Sequence, residues 1–446
     1  MERLWTAARA LEQQATAWRR DLHAHPEIGL CEYRTAWRIM DLLTAWGYEV
    51  SFGREVMDPH LLCGIPAPEI MEKKRLRAIE EGVPPTLTEQ MMGGMTGIVA
   101  TIQGTGDGKT VAFRFDMDCN EVTEATEGHR PAREGFASLH AGEMHACGHD
   151  GHCAIGLTLA KILADHRDAF SGKVKLIFQP AEEGVRGAKS MVGAGILDDV
   201  DCFFGGHIGI GAHENGTLAA LTDGFLACTK ADACFTGRAS HAGLAPEEGK
   251  NALLAAAQAA VSLHGISRHG KGSSRINVGI LQAGAGRNVI PDRGVVKFET
   301  RGETAEIDEY MQTEARRILQ ACADLQGVAL EYEIAGASLS HEPDRKTGAE
   351  IAALARASGQ YTKVFDCLPM NASEDCTYFL EEMRRKGKPC AFLMFGSALA
   401  AGHHNGRFDF DESVLWRSAG LLACLAATYT KRERKNDTIV EERNCI

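Results

Sequence analysis

Short apolar runs recur through the first half of the chain and again near its end: Thr110–Phe115, Lys173–Phe178, Val200–Phe204 and Ala391–Phe395. Runs of this length beside Gly or Pro read as buried strands. Between them lie segments of helical period, such as Ile155–His166. Strand and helix therefore alternate, which predicts an α/β unit with a largely parallel sheet flanked by helices.

From about Gly224 the period changes. Apolar positions alternate in Ala231–Gly237, an Ala-rich helix is predicted over Asn251–Leu263, and strands fall around Asn277–Leu281 and Gly294–Arg301. A second helix, Glu306–Leu325, and a last strand, Val328–Ile334, complete a β-α-β-β-α-β order, the ferredoxin-like arrangement. At 446 residues the chain exceeds what one hydrophobic core usually covers. The expected division is one α/β domain from residues 1–223 and 337–446, with an α+β domain of residues 224–336 inserted into it. Arg54–Gly94, with clustered charges and the Pro84-Pro85 pair, reads as a surface excursion with a helix over Ile70–Glu81 that caps a cleft or meets a partner.

Candidate chemistry gathers where the apolar runs end. Asp116 and Asp118 follow the first run, Glu182 and Glu183 the second, His207 the third, and His403 and His404 the fourth. Open sheets of this type place their sites beyond the carboxyl ends of the strands, so the four groups are expected on one edge. Between the first two runs, residues 145–152 carry His145, Cys147, His149, Asp150 and His152. A thiolate with several imidazoles and carboxylates suits zinc, manganese, cobalt or nickel, whereas calcium and magnesium prefer all-oxygen cages. A Cys-His cluster alone also builds structural zinc sites, but those pair two compact knuckles, and here single donors recur at long intervals. An acidic pair can likewise be a solvated loop, yet Glu182-Glu183 follows Gln179-Pro180 directly after a buried strand.

A net charge of −12 gives no basic field for nucleic acid or an anionic membrane. No apolar run reaches the roughly 18–20 residues of a membrane span. Fourteen cysteines without a spacing framework suit a reducing cytoplasm. The stretch from Lys431 to Ile446 is charged and expected to fray. Gly104–Thr110 fails as a phosphate loop because the required glycine falls on Gln103. Neither a Gly-x-Ser-x-Gly elbow nor a His-Glu-x-x-His helix occurs.

The motif at residues 145–152, together with Gln179–Gly184, Ser240–Gly243, Asn288–Pro291 and Ser373–Asp375, resembles the amidohydrolase branch of the M20 metallopeptidases over nearly the whole chain. The 54–94 segment and His129–Ser138 further resemble the subgroup that acts on p-aminobenzoyl-glutamate. The resemblance implies two divalent ions, with Cys147 as bridging ligand and His149, Glu183, His207 and His404 as terminal ligands. Glu182 would be the general base. His404 fits the family frame through Phe408, which leaves His403 in a supporting or packing role. Asp118 would orient a ligating histidine, and His145 and His152 are read as hydrogen-bonded structural residues. His241 matches a histidine that in relatives reaches across a dimer to the reacting carbonyl, while Asn288 and Arg301 match positions near the substrate carboxylate. The implied activity is hydrolysis of an N-acyl or N-aroyl amino acid, either p-aminobenzoyl-glutamate or the substrate of an aminoacylase or hippurate-type hydrolase. A third reading is a non-catalytic, metal-containing subunit. Partners would be that small molecule and either a second copy, paired through the inserted domain, or a related second subunit.

Overall fold

Apolar runs buried on both faces form the middle of an eight-stranded sheet in the computed structural model, which describes residues 1–432. From edge to edge the strands are Glu49–Phe52, Ile98–Gln103, Lys173–Gln179, Thr110–Asp116, Cys202–Ile208, Cys390–Phe395, Thr217–Ala219 and Lys363–Phe365. The four central strands are mutually parallel. Pairing turns antiparallel on either side of them, and the outermost strand returns to parallel. Every residue of Thr110–Asp116, Cys202–Ile208 and Cys390–Phe395 is buried, as expected when helices cover both faces.

One face of the sheet, with Phe113, Phe115 and Phe178, packs under His149–Asp165, Ser413–Tyr429 and the N-terminal helices. The other face carries Ala112, Ile177, Phe203 and Phe392 and is covered by Ala188–Gly193 and Thr377–Arg385. Close approach of the helix His149–Asp165 depends on Gly156, where a Cβ would lie 2.7 Å from the Phe115 ring. That seating brings the first turn of the helix, and with it His149, to the carboxyl edge of the sheet.

A second, antiparallel sheet orders its strands Ser274–Ala283, Arg293–Gly302, Ala227–Thr236, Ala329–Ser338. Taken along the chain, its four strands occupy the third, first, second and fourth places of that order, the ferredoxin-like pattern. The helices Ala252–His264 and Ala305–Gln326 supply its core with Ala256, Met311 and Leu319, packed on Phe235, Val296 and Phe298. Asn251 caps the first helix by accepting from the Leu254 N–H, and Thr304 caps the second at Ile307. Strand Ser274–Ala283 is a free edge of this sheet, with Ile280 and Leu281 exposed on it.

Within the 54–94 segment the main helix is Pro68–Glu80, two residues earlier than its predicted start, because Pro68 is well accommodated in a first turn. Lys74 and Arg77 both bind Glu143, and Arg186 Nη1 donates to the Gly64 carbonyl at 2.6 Å. No helix among the described residues is long and apolar enough to cross a membrane. The tail expected to fray lies, beyond Arg432, outside the described residues.

Candidate active site

The ends of the parallel strands and the first turn of one helix bring the predicted donors together. Gly148 precedes the helix His149–Asp165 with φ at 90°, a left-handed turn that lets Cys147 and His149 face the same space. Ligand atoms of Cys147, His149 and His207 lie within 4.8 Å of one another, as do those of Cys147, Glu183 and His404, and of His149, Glu182 and Glu183. Cys147 Sγ is 3.4 Å from His207 Nε2. His149 Nε2 is 3.7 Å from Glu183 Oε1, and His404 Nε2 is 3.2 Å from Glu183 Oε2. Cys147 and Glu183 thus each belong to more than one trio, the arrangement that two neighbouring cations require.

The unsatisfied atoms of the shell test whether cations fit. His149 Nε2 and Glu183 Oε1 are buried without a hydrogen-bond partner, a costly condition for polar atoms. His149 Nδ1 donates to the Asp118 carbonyl at 2.9 Å, and His207 Nδ1 to the Ile208 carbonyl at 2.9 Å. Both imidazoles therefore turn Nε2 toward Cys147 and Glu183, the nitrogen that a metal takes when its proton leaves. The residues present fit two divalent ions of the N/S/O-binding transition series.

The adjacent carboxylates differ in charge. Burial pushes the Glu182 carboxyl well above its ordinary value, reinforced by Glu374, Glu183 and Asp375. Burial opposes the charge of Glu183 as well, but the hydrogen bond from His404 and the charges of His149 and His404 prevail and bring it down to about 2. Such a split suits a proton carrier beside a ligand. Burial next to Glu183 and Glu182 likewise pushes the Cys147 thiol well up; a nearby cation acts in the opposite sense.

Strain and backbone bonds hold the pair in place. Ala181, Val185 and His404 are non-glycine residues in the left-handed region, with φ of 56°, 53° and 62°. The Asp118 carboxylate accepts from the Glu182 and Glu183 N–H groups at 2.9 and 3.0 Å. Asp118 also holds His149, with its backbone carbonyl the nearer acceptor at 2.9 Å and a carboxylate oxygen 3.4 Å away. His152 bridges Asp116 and the Ile208 N–H, and His403 Nε2 donates to the Ile208 carbonyl at 3.1 Å. His145, expected to be hydrogen-bonded, is corrected: neither ring nitrogen has a partner, and burial lowers its pKa to about 3.

A cavity of about 320 Å³ opens on the shell and reaches Lys230, Arg301 and Ser373. Arg301 Nη1 donates to Ser373 Oγ at 3.3 Å, and its Nε pairs with Glu299 at 3.0 Å. His241 and Asn288 do not line this cavity. They sit on the small ribbon formed by Ser240–His241 and Val289–Ile290, where His241 is exposed. His241 Nδ1 accepts from the Gly243 and Leu244 N–H groups, so its Nε2–H points away from that turn.

Sequence reasoning missed the support beneath Glu182. Arg114, wholly buried, reaches Asp116 at 2.6 Å, Glu374 at 2.9 Å, Asp375 at 3.3 Å and Gln179 at 2.7 Å. An arginine inside the apolar run Thr110–Phe115 was the available signal, since a buried charge demands partners.

Comparison with known proteins decides the family. Residues 112–428 match the profile of Peptidase family M20/M25/M40. The chain belongs to that family. This M20 chain is accordingly a hydrolase of the metallopeptidase and amidohydrolase type. It is 44% identical to the indole-3-acetyl-aspartic acid hydrolase of Enterobacter agglomerans, over 94% of this chain and 97% of that one. To a p-aminobenzoyl-glutamate hydrolase subunit of Escherichia coli (strain K12) it is 43% identical, over 96% and 99%. Among solved structures, an aminobenzoyl-glutamate utilization protein from Klebsiella pneumoniae superposes with a TM-score of 0.78 at 36% identity, covering 94% of this chain and 97% of that one. A Bacillus subtilis dinuclear metal binding peptidase of the M20 family gives 0.63 at 25% identity, over 95% and 99%.

Proposed function

We propose that this M20 chain hydrolyses the amide bond of N-acyl amino acids, above all N-aroyl ones, with p-aminobenzoyl-glutamate, cleaved to p-aminobenzoate and glutamate, as the leading substrate. The observation that carries the reading is the convergence of Cys147, His149, Glu183, His207 and His404 around buried, unpartnered ligand atoms, with Glu182 beside them. Cys147, His149, Glu183, His207 and His404 would hold two divalent ions, manganese or zinc with cobalt or nickel able to serve, with Cys147 as the ligand the two would share and the other four as terminal ligands. When bound, these ions supply Lewis acidity to the scissile carbonyl and lower the pKa of the attacking water.

The remaining work falls to the chain's own side chains. Glu182, turned away from the ligand role that Glu183 fills, takes the proton of the attacking water and returns it to the departing amide nitrogen. Asp118 holds both carboxylates in register through their backbone N–H groups. Arg301, at the far wall of the cavity, pairs with a substrate carboxylate, a task suited to its planar fork. His241 and Asn288 act from a second chain: both stand outside the cavity of their own chain, and the outward Nε2–H of His241 is free to stabilise a developing oxyanion. Residues 224–336 then serve as lid and pairing unit, either between two copies or with a related second subunit. The exposed apolar edge at Ile280 and Leu281 favours such pairing. We place the reaction in the cytoplasm, in keeping with the free cysteines of the described residues.

The test is a hydrolysis panel of p-aminobenzoyl-glutamate, hippurate and N-acetyl amino acids with added manganese or zinc. Turnover of the first well above the others is expected. Two bound ions per chain without turnover of any member would reject catalysis by this chain alone and support the reading as a metal-containing subunit, to be checked by adding the second subunit.

A further inference from the structure

We infer that Arg130, with Arg19 behind it, is a positioning residue of the metal shell, an inference that rests on the two-ion reading proposed above. The two arginines lock the loop that carries His404 against the turn that carries Cys147 and His149, and so set the affinity of the ion that Glu183 and His404 would hold. The segment His129–Ser138, which no step of the chemistry uses, thereby gains a part in the site.

The two ligand trios are anchored unequally. Cys147, His149 and His207 are all buried, the last inside a strand buried along its whole length. In the trio of Cys147, Glu183 and His404, the His404 side chain is 57% exposed and its backbone lies in the left-handed region. His404 stands on the connection between the strand Cys390–Phe395 and the helix Ser413–Tyr429, so neither element fixes its direction.

Other side chains do so instead. Arg130 grips both oxygens of Asp409, with Nε at 2.6 Å and Nη2 at 2.8 Å, and also reaches the Phe410 carbonyl at 2.8 Å and Glu412 at 3.0 Å. Arg19, wholly buried, meets the same Asp409 at 3.0 Å and Glu412 at 3.1 Å, while its Nε holds Asp150 at 2.7 Å. Asp150 adjoins His149 in the first turn of its helix. One guanidinium therefore spans the two ligand-bearing segments, and the second closes the far side. Nearer His404, the Ala125 N–H donates to the Gly406 carbonyl at 2.8 Å, and a Cβ on Gly406 would meet the Thr123 carbonyl oxygen at 2.5 Å. Glu124, between those two contacts, is fixed by His23, His129 and the Ser138 N–H. Buried ion pairs often add little net stability beside apolar packing of the same volume. What this network supplies is a planar, directional fork that admits one geometry. Loss of a support behind a metal ligand typically costs about 10–100-fold in metal affinity.

Two variants disturb the loop from opposite sides: Arg130→Met removes the fork, and Gly406→Ala pushes against Thr123 without altering charge. Zinc titration of metal-stripped protein in competition with a chelator, together with metal analysis, resolves the two ions. Each variant is expected to weaken one ion by about tenfold or more and to leave the other within about twofold of wild type. In a His404→Ala background, already short of that ion, Arg130→Met is expected to add no further loss, because its effect passes through His404. Equal weakening of both ions, unchanged binding, or a further loss in the His404→Ala background would overturn the inference. A wild-type protein that binds fewer than two ions rejects the two-ion reading instead. Hydrogen exchange on the metal-free proteins then decides whether Arg130 holds the loop. Arg130→Met is expected to speed exchange of the Ala125 and Phe408 amides by about tenfold, with those of the helix His149–Asp165 unchanged. Equal exchange in variant and wild type overturns the positioning role, and so does a uniform rise through the chain, the mark of a variant that merely unfolds.

Discussion

Replacing Arg114 by Met should destabilise the metal-free protein strongly at pH 8 and much less at pH 5. The guanidinium is fully buried and faces Asp116, Glu374 and Asp375, all at most 1% exposed. Removing one partner of a buried pair costs about 3–5 kcal/mol, and here one cation serves three carboxylates, so the upper end applies at pH 8. Burial already raises the Asp375 carboxyl to about 7 against the charge of Arg114, and without Arg114 it stands further above the unfolded value. The folded variant then binds more protons than the unfolded chain, and its stability rises relative to wild type as pH falls, by up to about 1.4 kcal/mol per pH unit for each proton taken up. Urea denaturation of both proteins at pH 8, 6.5 and 5, after removal of metal, measures the difference. A loss below about 1 kcal/mol at pH 8, or one that does not change with pH, would show that the carboxylates are solvated or neutral already and refute the argument. The double variant Arg114→Met/Glu374→Gln should recover part of the loss, because it removes one of the stranded charges.

Three further outcomes follow from the site. Glu182→Ala should lose about 10²–10⁴ in kcat with metal content unchanged, while Glu183→Ala should lose metal as well as activity; metal analysis of the two separates base from ligand. His404→Ala should lose metal and His403→Ala should keep most of it, and Cys147→Asp should retain more activity than Cys147→Ala, since a carboxylate also bridges two cations. His241→Ala and Glu182→Ala, each nearly inactive, should recover roughly a quarter of wild-type activity when refolded together at equal amounts, because about half the dimers are mixed and each holds one intact composite site. Tagged mixed dimers without activity above either parent would remove His241 from the neighbouring site.

Much of this arrangement is legible in the sequence because the donors end apolar runs, and the periodicity of those runs fixes where strands stop. The meeting of Glu182, Glu183, His207 and His404 at one edge follows from that rule. Pairing direction does not: the antiparallel flank begins with Glu49–Phe52, a four-residue strand too short for its pattern to stand out. Analogy assigns Asp118 to a histidine, but gives no sign that its carboxylate also accepts from two adjacent backbone N–H groups in a strained loop. His145 shows the opposite failure, since residue type alone gives no sign that both nitrogens are buried without a partner. The network of Arg114 joins residues 260 positions apart, a separation that no local pattern encodes.

The open strand Ser274–Ala283, with Ile280 and Leu281 uncovered, bears on how the chain behaves before it is assembled. An unpaired edge of this kind is a template for indiscriminate strand addition, open to any other copy of the chain as long as nothing covers it. Whichever molecule covers it also acts as a guard against fibrous self-association, so supply of that molecule, and not only the stability of the folded chain, governs how much protein stays in solution.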